Sequence, residues 1–149
     1  MALQTTYLDD MPVAYAGMVA NTELADIISR TVEDAALPFG KAVTQGTGDK
    51  SVHPTTTGDA STLGVSVLSN ATENSTVNGY PQGDTAAILI KGVIWVTADG
   101  AVAAGDDVTV TVATGAYGTK AAGAGVLAVP NARWETSAAD GALAQLRLK

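Results

Sequence analysis

The run "TAAILIKGVIWVTADG", Thr85 to Gly100, constrains the fold more than any other stretch of the chain. In an extended strand Ile88, Ile90, Ile94 and Val96 fall on one side, and Leu89, Val93 and Trp95 fall on the other beside Lys91. Side chains alternate across a strand with a period of two, so a strand that is apolar on both sides must be covered on both sides. Asp99-Gly100 then gives a hairpin signal, because a type I′ turn needs positive φ at both central residues.

The rest of the chain repeats this shape on a smaller scale. In "GDDVTVTVATGAYG" Val108, Val110 and Val112 point one way, and in "ALAQLRLK" Ala144, Leu146 and Leu148 alternate with Gln145, Arg147 and Lys149. "KAVTQG", "LGVSVLS" (Val65 and Val67 on one face) and "GVLAVPNARWETS" supply further strands. "TGDKSVHPTTTGDAST" and "NATENSTVNGYPQGD" read as polar, turn-rich loops, and a Gly/Ala-rich connection follows Thr114. Aromatic residues are only 5% of the chain and glycines number 16, a composition that suits thin β-layers with many turns. The expectation is all-β: a small antiparallel β-barrel or sandwich over residues 22–149, preceded by an extended N-terminal arm over residues 1–21.

The arm carries Tyr7, Leu8, Met11, Tyr15 and Met18 without a regular period. Two descriptions fit it: a segment that needs another surface to bury it, or an ordinary first strand with a frayed end. The next stretch, "TELADIISRTVEDAALPFG", is also ambiguous. Leu24, Ile27, Ile28 and Val32 match a helical face, whereas Ile28, Arg30 and Val32 match one side of a strand, and Pro38 ends either element.

Little in the sequence carries chemistry. The net charge is −7 and the eight basic residues are scattered, which argues against a face that tracks nucleic-acid phosphates or an anionic membrane. Without cysteines there are no disulfides or thiolate metal sites. The only histidine, His53, precedes Pro54 in what reads as a solvated loop, and no G-x-S-x-G elbow accompanies it. Asp9/Asp10 and Asp106/Asp107 are paired carboxylates, but neighbours in a strand point apart, and turn chemistry explains the second pair. No calcium loop, Walker loop, dinucleotide fingerprint or HExxH helix occurs, so no catalytic residue, cofactor or metal is expected. The sequons at Asn70 and Asn74 read as ordinary loop composition. The N-terminus lacks a basic n-region, and no apolar run approaches a membrane span, so the expectation is a soluble protein made in the cytoplasm. Trp134 belongs in the core; Trp95 is either core or a subunit boundary, where amphipathic aromatics concentrate.

The succession "YAGMVAN…DIISRTVE…LPFGKAVTQG", "LIKGVIWVTADGAVAAGDDVTVTVATG" and "NARWETSAADGALAQLRL" resembles the structural cement proteins of tailed bacteriophages, over nearly the whole chain. The resemblance implies a small, usually trimeric β-domain on the outer surface of the virion head. There it stabilises the shell without catalysis by clamping neighbouring subunits of the major capsid protein. It also favours an extended rather than helical course near Ile27. On this basis Tyr7, Leu8, Met11, Tyr15 and Met18 of the arm, with Leu89, Val93 and Trp95 of the long strand, are the expected capsid or subunit contacts. A head fibre or host-glycan-binding module remains an alternative, although such sites are usually lined by aromatics, which are few here; a small hydrolase with dispersed acids ranks last.

Overall fold

The computed structural model describes residues 12–70 and 78–149. They form eleven strands: β1 (Asp26–Val32), β2 (Leu37–Pro38), β3 (Ala42–Gln45), β4 (Ser51–Pro54), β5 (Gly64–Ser66), β6 (Gly79–Tyr80), β7 (Thr85–Asp99), β8 (Asp107–Thr111), β9 (Ala116–Gly118), β10 (Val126–Trp134) and β11 (Leu143–Leu148). The described residues contain no helix. The all-β expectation holds, and a closed barrel replaces the choice between barrel and sandwich.

Closure happens twice. The order β1-β4-β3-β5-β7, with β1 pairing back to β7, makes one ring, and β7-β11-β10-β8-β9, with β9 pairing back to β7, makes a second. Strand β7 belongs to both. Most pairs are antiparallel, but each ring contains one short parallel pairing, β1 with β4 and β7 with β9. Closing a sheet on itself removes exposed edges and encloses a core, so two rings give two cores. Val32, Leu37, Phe39, Val43, Val52, Tyr80, Ala86 and Ile88 fill the first, where Phe39 and Tyr80 meet edge to face at 5.2 Å. The second gathers Leu89, Ile94, Val96, Val110, Tyr117, Trp134 and Leu146, among others.

This partition corrects the two-face assignment for β7. Ile88 belongs to the first core, whereas Ile94 and Val96 join Leu89 in the second. The cause is a bulge. Ile27 lies opposite Leu89 and Asp26 opposite Lys91, so Ile90 has no partner on β1. One extra residue inverts the alternation beyond it. Gly92, at φ 127°, continues the distortion with a backbone that other residues rarely adopt, and a β-carbon there would stand 3.2 Å from the Ala25 Cβ. Below the bulge even-numbered side chains fill the first core; above it they fill the second. The double coverage expected for this strand is met, by two different cores.

Other corrections follow from tertiary pairing. The Asp99-Gly100 hairpin does not form, because the end of β7 pairs in parallel with β9, and β8 pairs with β10 and β9 instead. Gly100 has φ 98° but Asp99 is not in the positive-φ region, and the Gly100 N–H donates to Asp140 Oδ1 at 2.8 Å. Two stretches read as loop or connection contain strands, β4 and β9, and Tyr117 of β9 is fully buried with its hydroxyl donating to the Gly64 carbonyl at 3.0 Å. Residues 26–32 are extended, as the resemblance implied: Ile28, Arg30 and Val32 share the inner side of β1, with Val32 fully inside.

Candidate interface

The described part of the N-terminal segment, from Pro12 to Asn21, lies along β7. Backbone bonds from Gly17 N–H to Trp95 O (2.7 Å), Trp95 N–H to Met18 O (2.8 Å) and Ala20 N–H to Val93 O (2.8 Å) hold it there, around a bridge between Val19 and Ile94. Gly17 makes this approach possible. Its φ is 86°, and a β-carbon would fall 2.9 Å from both Gly40 N and Leu68 N, so three backbones converge on a residue that must lack a side chain. The Leu68 N–H donates to Gly17 O at 2.7 Å, and buried Ala14 adds an apolar anchor.

Farther along, Glu23 is bound to the second ring. Arg147 of β11 donates to its carboxylate through Nη1 at 2.6 Å and Nη2 at 3.1 Å, and through Nε to Glu135, which also accepts from Arg133. The Arg147 guanidinium holds the carboxyls of both Glu23 and Glu135 below their usual range.

The segment is held but not covered. Its large apolar side chains face outward: Val13 is 87% exposed, Leu24 85%, Tyr15 54%, Ile27 44% and Met18 42%. These are all of the large exposed hydrophobic residues described, and all lie between Val13 and Ile27. Isolated apolar residues at a surface need no explanation, whereas a run concentrated on one segment marks a contact surface.

Of the expected contact residues, Tyr15 and Met18 lie on this strip. Trp95, half-buried, has its backbone bonded to Gly17 and Met18. Leu89 and Val93 are corrected: both are buried within the chain, Leu89 in the second core. They have no side-chain surface to offer a partner. Tyr7, Leu8 and Met11 lie outside the described residues. Leu24 and Ile27 also lie on this strip, although their local spacing matches the inner face of a helix.

Several of the remaining polar groups are engaged in structure. His53 is a strand residue, not a solvated loop residue: it sits in β4, largely covered, with Nδ1 3.0 Å from Pro54 O and Nε2 3.9 Å from Asp59. Asp59 in turn accepts from the Thr56 N–H, closing a local turn. Asp106 accepts from the Ala103 N–H, the turn role expected of it. Asp99 accepts from Lys120 Nζ at 2.6 Å and Thr111 Oγ1 at 2.8 Å, and these bonds lower its pKa. Glu33 accepts from the Thr47 N–H and hydroxyl and from the Gly48 N–H, which lowers its pKa to about 2. Among the described residues no three His, Asp or Glu side chains converge as a metal site would need.

The family described as "Structural cement protein (E217 gp24/Pam3 gp6)" matches residues 3–149. No curated protein matches the chain. Among solved structures, a chain in the capsid of Myoviridae phage XM1 superposes with a TM-score of 0.81 at 18% identity, covering 99% of this chain and 97% of that one. The base of the phage phi29 head fibre gp8.5 aligns at a TM-score of 0.46 and 14% identity, covering 85% of this chain and 95% of that one.

Proposed function

Because this chain belongs to the structural cement protein family of bacteriophages, we propose that it attaches to the outer surface of the phage head and bridges neighbouring major capsid protein subunits, without catalysis. Membership gives a structural role in the capsid. The observation that carries the finer proposal is the apolar strip from Val13 to Ile27, laid along β7 and left uncovered. A segment already held extended loses little conformational freedom on docking, so more of the binding free energy survives. Apolar burial is worth roughly 25 cal/mol per Å². Repeated over many sites on a shell, modest contacts add up to firm attachment.

The negative charge is consistent with an outer coat that does not engage the packaged DNA. Trimerisation is part of the proposal, with Trp95, Tyr15 and Met18 at the boundary in place of Leu89 and Val93; a stable monomer in sedimentation would remove it. The capsid proposal is tested on heads stripped of this protein and re-decorated. Tyr15→Asp with Met18→Asp should lower occupancy on the shell while circular dichroism shows the β-fold intact. Undiminished occupancy would overturn the assignment of the strip, and heads equally durable with and without the protein would overturn the cementing role.

A further inference from the structure

Strand β1 carries a long edge that its ring leaves open. It pairs with β7 from Asp26 to Thr31, but β4 covers its other edge only at Thr31 and Val32. On that second edge the N–H groups of Thr31 and Glu33 donate to Lys50 O and Val52 O. By alternation the backbone groups of Ile27 and Ser29 point the same way, with no described strand opposite them. Asp26, Ile27 and Ser29 are exposed. Open edges of this kind are templates for another strand.

The sequence of the edge, Asp26-Ile-Ile-Ser-Arg30, is complementary to itself. If two copies pair antiparallel about Ile28, each Asp26 stands opposite the other copy's Arg30, and Ile27 opposite Ser29. The backbone phase agrees: Ile27 and Ser29 become the hydrogen-bonded pairs, and Ile28 meets its counterpart at a non-hydrogen-bonded position on the twofold axis. Arg30 is the side chain left waiting for a partner. Its Nε is buried without a hydrogen bond and its Nη1 donates to the adjacent Ser29 carbonyl at 3.0 Å; among the described residues neither Arg30 nor Asp26 joins an ion pair. We propose that the Asp26–Arg30 edge of β1 is a twofold contact through which two copies of this protein pair strand to strand, with Asp26 of each bound to Arg30 of the other. The contact meets the apolar strip at Ile27, and it would link cement units to one another, a role separate from the capsid attachment proposed above.

The experiment uses the free full-length chain and the absence of native cysteine. Cα atoms of a non-hydrogen-bonded antiparallel pair lie about 4.5 Å apart, within disulfide range. Mild oxidation of Ile28→Cys should therefore give covalent dimers. In that background Asp26→Arg alone, or Arg30→Asp alone, places like charges opposite each other twice and should lower the yield about tenfold. Mixing the two reversed proteins restores opposite charges in every cross-pair and should restore the dimer. If Ile28→Cys does not fold, a mixture of Asp26→Cys and Arg30→Cys proteins should cross-link where each alone does not. Absence of dimer at the highest soluble concentration overturns the proposal, and so does a yield indifferent to charge reversal or a mixture no better than its components.

Discussion

Replacing Gly92 with alanine tests the bulge that divides β7 between the two cores. The backbone there has φ 127°, outside the region that residues with a β-carbon adopt readily, and such conformations cost about 1–3 kcal/mol. The new methyl would also stand 3.2 Å from the Ala25 Cβ, so Ala25 must move by a few tenths of an ångström, adding about 1 kcal/mol of overpacking. The total is roughly 2–4 kcal/mol, or a fall in Tm of about 5–15 °C for a chain of this size. Two companions separate the contributions by calorimetry or thermal circular dichroism. Gly100→Ala has a similar φ, 98°, but open space around its β-carbon, so it should show the backbone cost alone. Ala25→Gly in the Gly92→Ala background removes the nearest contact, leaving the Ala25 Cα at 3.3 Å, and should recover only part of the smaller contribution. A Gly92→Ala protein melting within about 2 °C of wild type would show that the bulge does not depend on the glycine, and the account of how β7 changes cores would fail.

Tyr117→Phe removes the buried hydroxyl that donates to Gly64 O, leaving a carbonyl without that donor, and should cost about 1–3 kcal/mol in chemical denaturation. Glu33 has a folded pKa of about 2 against an ordinary 4.5, so its contribution is fully present above pH 4.5 and is lost as pH falls through 2. Glu33→Gln should therefore lower Tm at neutral pH and show a shallower loss of Tm than wild type between pH 4.5 and 2. On stripped heads, Leu24→Asp should weaken attachment as Tyr15→Asp with Met18→Asp does, with no change in melting, whereas Val13 at the far end of the strip should matter independently of Trp95.

The sequence made the architecture legible where burial follows simple alternation. Val108, Val110 and Val112 point inward, and β11 buries Ala144, Leu146 and Leu148 as its pattern predicts. Pattern failed where long-range pairing decides. Strand β4 is a polar run whose Val52 alone looks like core, and it becomes a strand because β3 and β1 lie on either side of it. Strand β9 is three residues long and joins two rings' worth of contacts through Tyr117, which no periodicity reveals. In β7 the composition announced two covered faces, but one unpaired residue at Ile90 changed which side chains those faces hold. For the interface, the apolar character of Tyr15 and Met18 was visible, whereas the burial of Leu89 and Val93 depended on neighbours distant in sequence. Leu24 and Ile27 look like core residues in any local pattern; only the fold shows that nothing covers them.

The sharing of β7 has a mechanical consequence. Fifteen extended residues span about 50 Å, so the strand is a continuous strut with one ring built around each end. A pull that separates the rings along this strut is carried by covalent backbone, and the antiparallel partners β1 and β11 resist it in shear, with many hydrogen bonds loaded at once. A pull across the strut would instead peel partners away one bond at a time. The molecule is thus stiff along one axis and compliant across it, and the N-terminal segment runs parallel to the stiff axis.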